Sequence, residues 1–122
     1  MANMLLVLIG GGLGSVCRYL SSLAAGRLFG DSFPWGTLFV NLFGCLLIGF
    51  IVGCVDRALL SKTLRIFLVT GFLGGLTTFS SFSLESTRFF QDSPLKAFAN
   101  IALNLIGGLT LTFIGLWAAD RI

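Results

Sequence analysis

Four apolar stretches, each long enough to cross a bilayer, fill nearly all of this chain and leave it one solvent to fold in. A span needs roughly 20 predominantly apolar residues. The stretches at 4–23, 35–55, 64–82 and 97–119 meet that need, the third continuing as a more polar helix to 90. What lies between them is too short for a water-soluble domain. The expectation is therefore an all-α membrane protein, with four transmembrane helices in a single domain over 1–122. Composition agrees. The chain is 56% hydrophobic and 11% charged, with a mean hydropathy of +0.99. A soluble domain of this size leaves too much surface wet to hide that much apolar area. Trp35 opens the second span as an interfacial anchor. Met1-Ala2-Asn3-Met4 carries no basic n-region, so the first stretch reads as a retained helix and not as a cleaved signal peptide.

Several function classes fall away. There is no histidine, which removes the usual proton shuttle. Cys17, Cys45 and Cys54 are odd in number, match no zinc or redox spacing, and read as small packing residues. The pI of about 9.1 does not point to nucleic acid. The basic residues are scattered at the ends of the spans, where lipid headgroups are the natural partner. Gly10-Gly11-Gly12-Leu13-Gly14 lacks the third glycine of a dinucleotide fingerprint, has no Lys-Ser/Thr after it and no strand before it, so no nucleotide or other organic cofactor is expected. No catalytic pair or metal cluster appears either, and the chain is not expected to be an enzyme.

Four spans put both termini on one side. Arg57, Lys62, Arg65 and Arg121 lie on that side; Arg27, Arg88 and Lys96 lie on the other, with Arg18 joining them if it counts there. Orientation is normally set by a clear excess of Lys and Arg. This near balance allows insertion both ways, so that oppositely oriented copies can pair as an antiparallel homodimer. A single, weakly biased orientation is the other reading of the count.

Of sixteen glycines, most sit inside spans. Gly10/Gly14, Gly49/Gly53 and Gly71/Gly75 are four apart, the spacing at which helix backbones approach closely in lipid. The third span is the unusual one. Gly74-Gly75-Leu76 is followed by five hydroxyl residues, Thr77, Thr78, Ser80, Ser81 and Ser83. Glycine is a poor helix former and hydroxyls compete for backbone hydrogen bonds, so a local break is expected. Broken backbone at membrane depth must be buried by protein or line a cavity. Its carbonyls suit a small hard cation, and helix ends at a break can face an anion. A kinked helix with satisfied hydroxyls is the plainer alternative.

Phe79 and Phe82 are three apart and project from one helix face. An aromatic ring has a positive edge, so the pair can hold an anion without a full charge, or simply pack. Asn41 lies mid-span, with Thr37 one turn before it and Gly44 one turn after. Its amide must be hydrogen-bonded in hydrocarbon, either gluing helices or donating to an anion. Asn104, Thr110 and Thr112 add a polar stripe to the fourth span. Neutral donors can replace a hydration shell without trapping an ion. Arg18 and Glu85 are intramembrane charges that need partners or water. Arg18 either reaches a vestibule or braces the fold through Glu85 or a helix C-terminus.

At these residues the chain resembles the Fluc/CrcB family of fluoride channels. The carriers are Gly-Gly-Gly-Leu-Gly-Ser-Val-Cys-Arg-Tyr (10–19), Trp-Gly-Thr-Leu-Phe-Val-Asn (35–41) and Gly-Gly-Leu-Thr-Thr-Phe-Ser-Ser-Phe-Ser-Leu-Glu (74–85). The resemblance implies an antiparallel, dual-topology homodimer in the bacterial inner membrane, releasing cytoplasmic fluoride passively through two pores. Asn41, Phe79 and Phe82 match pore positions. Ser80, Ser81, Ser83 and Thr112 match pore-lining hydroxyls. Arg18 matches a vestibule position, with Thr37 and Glu85 placed there too. Gly74 and Thr77 match positions whose carbonyls hold a structural sodium ion. Ser81 departs from a common threonine, and Asn100 and Asn104 from a common tyrosine and serine. The alternative weighed is a small dual-topology multidrug/proton antiporter, which needs a carboxylate in the first helix; this one has none.

Overall fold

A computed structural model describes residues 1–122. The chain is helical, without strands. Four columns are long and apolar enough to cross a membrane: Ala2–Phe29, Trp35–Asp56, Lys62–Asp92 and Pro94–Ala119. We number α1 as Ala2–Phe29, α2 as Trp35–Asp56, α3 as 62–76, α4 as Phe79–Asp92 and α5 as Pro94–Ala119.

α1 runs to Phe29, past the end expected at 23, and the link expected over 26–34 shrinks to 30–34. Two features explain this. Arg27 sits in the last turn, where a cation complements the helix C-terminus, and its long stem lets the charge leave the apolar zone. The helix stops only at Gly30, whose φ of 75° is readily reached by glycine.

Packing follows the glycines. α1 lies on α3, and α2 lies on α5. In the first seam a Cβ at Gly14 would strike Phe72 O, and one at Gly75 would strike Gly11 O. In the second, a Cβ at Gly49 would strike Thr112 O, and one at Gly115 would strike Leu46 O. The backbones therefore touch, which is how helices gain contact area in lipid. Val40, Ile51, Leu73 and Leu76 form a small buried cluster joining α2 to α3. Cys54 is buried and Cys45 half-buried, while Cys17 faces outward on α1. Leu5, Leu8, Leu13, Val16 and Leu20 of α1 are exposed as well, a surface that lipid or another chain must cover.

The third column is not one continuous helix. Residues Ile66–Leu73 run in wide π-helical turns. The helix ends at Leu76, and Thr77 (φ −82°, ψ 156°) and Thr78 (φ −152°, ψ 112°) are extended. α4 then starts at Phe79, with the Thr78 hydroxyl accepting the Ser81 N–H at 3.2 Å as its N-cap. Pro94 sits in the first turn of α5, where its missing N–H costs nothing.

Candidate functional site

Two extended residues inside an apolar column leave backbone groups to satisfy. In an unbroken helix the Thr78 N–H would bond to Gly74 O, and the Ser81 N–H to Thr77 O. Here the Thr78 N–H donates to Asn41 Oδ1 at 2.8 Å, and the Ser81 N–H goes to the Thr78 hydroxyl. Asn41 Nδ2 in turn donates to Thr78 O at 3.1 Å. The Asn41 amide of α2 thus grips both polar groups of one peptide residue, as a neighbouring strand would. The consequence is that Gly74 O and Thr77 O lose their helical donors. Thr77 O keeps one long contact, from Arg18 Nη1 at 3.4 Å, beyond the range of a strong hydrogen bond. The Thr77 hydroxyl turns back to Leu73 O at 2.9 Å.

Beside this clamp runs a groove of about 320 Å³, lined in part by Asn41, Gly74, Thr77, Phe79, Phe82 and Asn104. Phe79 and Phe82 meet edge to face, with centroids 5.4 Å apart and planes at 62°. Phe82 is 7% exposed and fixed; Phe79 is 72% exposed. In such a pair the positive edge of one ring meets the negative face of the other. Gly44 matters here, because a Cβ at that position would strike the Thr77 methyl group. No cationic side chain lines the groove.

The polar path continues into α5. Asn41 Nδ2 also donates to Asn104 Oδ1 at 3.0 Å. Asn104 Nδ2 donates to Asn100 O at 3.0 Å and to Asn100 Oδ1 at 3.1 Å. Asn100, fully buried, donates to Ser86 Oγ at 2.9 Å. Every amide in this row has its partner, which is what burial demands.

The other expected site residues fall into separate places. Ser80 and Ser81 put their hydroxyls 3.2 Å and 3.1 Å from the Thr78 hydroxyl, beside the clamp. Ser83 follows on α4, where its carbonyl accepts the Thr87 hydroxyl. Thr37 donates to Glu85 Oε1 at 2.7 Å, and both line a distinct polar pocket of about 130 Å³ with Ser22 and Asp31. Glu85 Oε2 has no partner. Arg18 reaches the carbonyl end of α3, so its contact is the helix terminus and not Glu85. Thr112 lies outside the groove, in the α2–α5 seam against Gly49.

The sequence reading named Thr78 only as one of five hydroxyls at the expected break and not as the hub of the network, and it did not name Ser86, the network's end. Thr78 had a signal: it stands three residues before Ser81, the spacing of an N-cap. Ser86 had none, because its role depends on how α4 packs against α5.

The family model described as CrcB-like protein, Camphor Resistance (CrcB), matches residues 5–116. The chain is 40% identical over 123 positions to a protein of Mesorhizobium japonicum, covering 100% of this chain and 99% of the relative. It is 44% identical over 124 positions to one of a Geobacter species, covering 100% of both. It is 48% identical over 118 positions to one of Agrobacterium fabrum, covering 95% of this chain and 94% of the relative. All three relatives carry the name fluoride-specific ion channel FluC.

Proposed function

The chain belongs to the CrcB family, an ion-channel family and not one of enzymes, and from that premise we propose that it conducts fluoride passively across the bacterial inner membrane. The observation that carries the reading is the groove at the Thr77–Thr78 interruption, where an edge-to-face phenylalanine pair and neutral donors meet with no cation among them. Fluoride is small and strongly hydrated. A route for it needs dense, well-aimed donors, and a lysine would hold it too long. Ring edges of Phe79 and Phe82 and the hydroxyls of Ser80, Ser81 and Ser83 offer partial positive charge without that trap. Arg18, Thr37 and Glu85 belong to the approaches, while Thr112, expected among the pore-lining hydroxyls, lies off this groove.

HF crosses membranes as a neutral weak acid and ionises inside, so fluoride accumulates unless it has an exit. A negative-inside potential moves the anion outward at about 2.3 kcal/mol per 100 mV. No other energy source is needed.

Two further parts of the proposal concern assembly. The near-even Lys/Arg count and the exposed apolar face of α1 support an antiparallel, dual-topology homodimer. The carbonyls of Gly74 and Thr77, released from helical bonding by the Asn41 clamp, fit a sodium ion, which takes oxygen ligands. Bound there, sodium supplies a fixed positive charge at the subunit interface. Arg18, whose contact with Thr77 O is long at 3.4 Å, would lie beside that ion.

Efflux from liposomes containing the purified protein tests the proposal. Loaded fluoride should leave rapidly, and loaded chloride should stay at the level of empty liposomes. Equal rates for the two ions would overturn it.

A further inference from the structure

Arg18 is the one charged residue in the body of α1, and the packing of that helix decides what it meets. Gly10, Gly14 and Arg18 follow one another at four-residue steps and share a face of α1. A Cβ added at Gly14 would strike Phe72 O and come within 2.8 Å of Leu76 N, so α1 lies against α3 up to its last residue. One turn further along α1, α3 has ended. Arg18 stands there, half-buried, and its Nη1 donates to Thr77 O at 3.4 Å, the only hydrogen bond this side chain makes. Glu85 is not its partner, because Glu85 Oε1 accepts the Thr37 hydroxyl.

Thr77 O has two reasons to draw a cation. It receives no backbone N–H, since the Ser81 N–H goes to the Thr78 hydroxyl. It also lies at the C-terminal end of α3, where a helix carries roughly half a negative charge. Arg18 has the matching need. A guanidinium does not give up its proton, and inside a membrane it must face acceptors or water. At 3.4 Å the hydrogen bond is weak, but the attraction between a full charge and a helix terminus falls only slowly with distance. Thr77 O is also one of the oxygens that the sodium reading gives to the ion. Two positive charges then address one group of carbonyls.

We propose that Arg18 is a built-in counter-charge of the interrupted column: it stabilises the carbonyl end of α3 when no metal ion is bound, and by like-charge repulsion it lowers the affinity of the Gly74 and Thr77 carbonyls for sodium. The inference rests on the sodium site proposed above. Its two halves are one coupling. What the guanidinium already supplies to the metal-free break, a bound ion cannot supply again. An ion that binds only the folded chain stabilises it according to concentration and affinity. Neutralising Arg18 therefore enlarges the gain from sodium and moves it to lower sodium concentration.

Thermal melting of the purified full chain in detergent tests this, with sodium chloride exchanged for N-methylglucamine chloride at constant ionic strength. Wild type, Arg18→Gln and Arg18→Lys are each titrated with sodium. In sodium-free buffer Arg18→Gln should melt below wild type. On titration its melting temperature should rise further than that of wild type. Half-saturation should come at about tenfold less sodium, the scale of one unit charge several ångströms away in a partly wet site. Arg18→Lys keeps the charge and should stay close to wild type. If Arg18→Gln does not fold, Arg18→Met, neutral and suited to an apolar column, takes its place. Unchanged half-saturation in the neutral variant overturns the inference. So does a melting temperature lowered equally at every sodium concentration, the mark of a merely structural role. A wild type and a neutral variant that both ignore sodium remove the sodium site and the inference together, and leave the fluoride route standing.

Discussion

Along one column the chain meets its neighbours in two different ways. At Gly71 and Gly75, α3 touches α1 backbone to backbone, through Gly10, Gly11 and Gly14. At Thr78, a turn further on, it meets α2 through a side-chain amide, two backbone groups and a hydroxyl cluster. The glycine seam needs shape only: a Cβ added at Gly10, Gly14 or Gly75 strikes a backbone carbonyl. The Thr78 seam needs chemistry, because extended backbone in an apolar column must find partners of the right polarity. Volume changes should therefore break the first region, and changes of donor and acceptor the second.

The largest effect is expected from Gly14→Val. Its side chain has no room beside Phe72 O, and overpacking of this kind costs about 1–3 kcal/mol, more where backbone must move. The variant should yield little folded protein on size exclusion; a well-behaved sample with normal melting would show the seam to be looser than described.

Next comes Asn41→Asp. The carboxylate can still accept the Thr78 N–H but cannot donate to Thr78 O or Asn104 Oδ1. It also sets a negative charge on the proposed anion route. Fluoride flux should fall more than tenfold, the factor for about 1.4 kcal/mol. Thermal melting separates this from misfolding, and undiminished flux would remove Asn41 from the route.

Phe79→Ile and Phe82→Ile sharpen the contrast, since they change ring chemistry and keep bulk. Phe79 is mostly exposed and its loss should leave stability nearly unchanged, whereas Phe82 is buried and should cost about 1 kcal/mol. Both should slow fluoride efflux with assembly unchanged on size exclusion. Normal flux in both would end the ring-edge role. Thr78→Val comes last, with no change of ring chemistry: it loses the N-cap of α4 and should destabilise by about 1 kcal/mol, read as a modest drop in melting temperature.

The two regions were unequally legible in the sequence. The spans and the glycine pairs could be read directly, because apolar length and four-residue spacing are local properties. The C-terminal extent of α1 could not, since Arg27 and Gly26 look like a link until the helix is seen to end at Gly30. Around Thr78, residue types marked the stretch but not the partners. The Asn41 amide reads equally well as a free donor, and only the fold reveals that both its protons are committed. The Asn100–Asn104 pair is visible as two amides a turn apart, yet its junction with Ser86 depends on the packing of α4 against α5.

The central claim is that a halide sheds its water against ring edges and neutral side-chain protons beside the interrupted third column. A high-resolution structure of the assembled protein in fluoride measures this most directly. A continuous route passing Phe79, Phe82 and Asn41, with ion density within hydrogen-bond distance of the Asn41 amide, is the predicted result. The same residues sealed in dry contact, with the ion path elsewhere or absent, would contradict it.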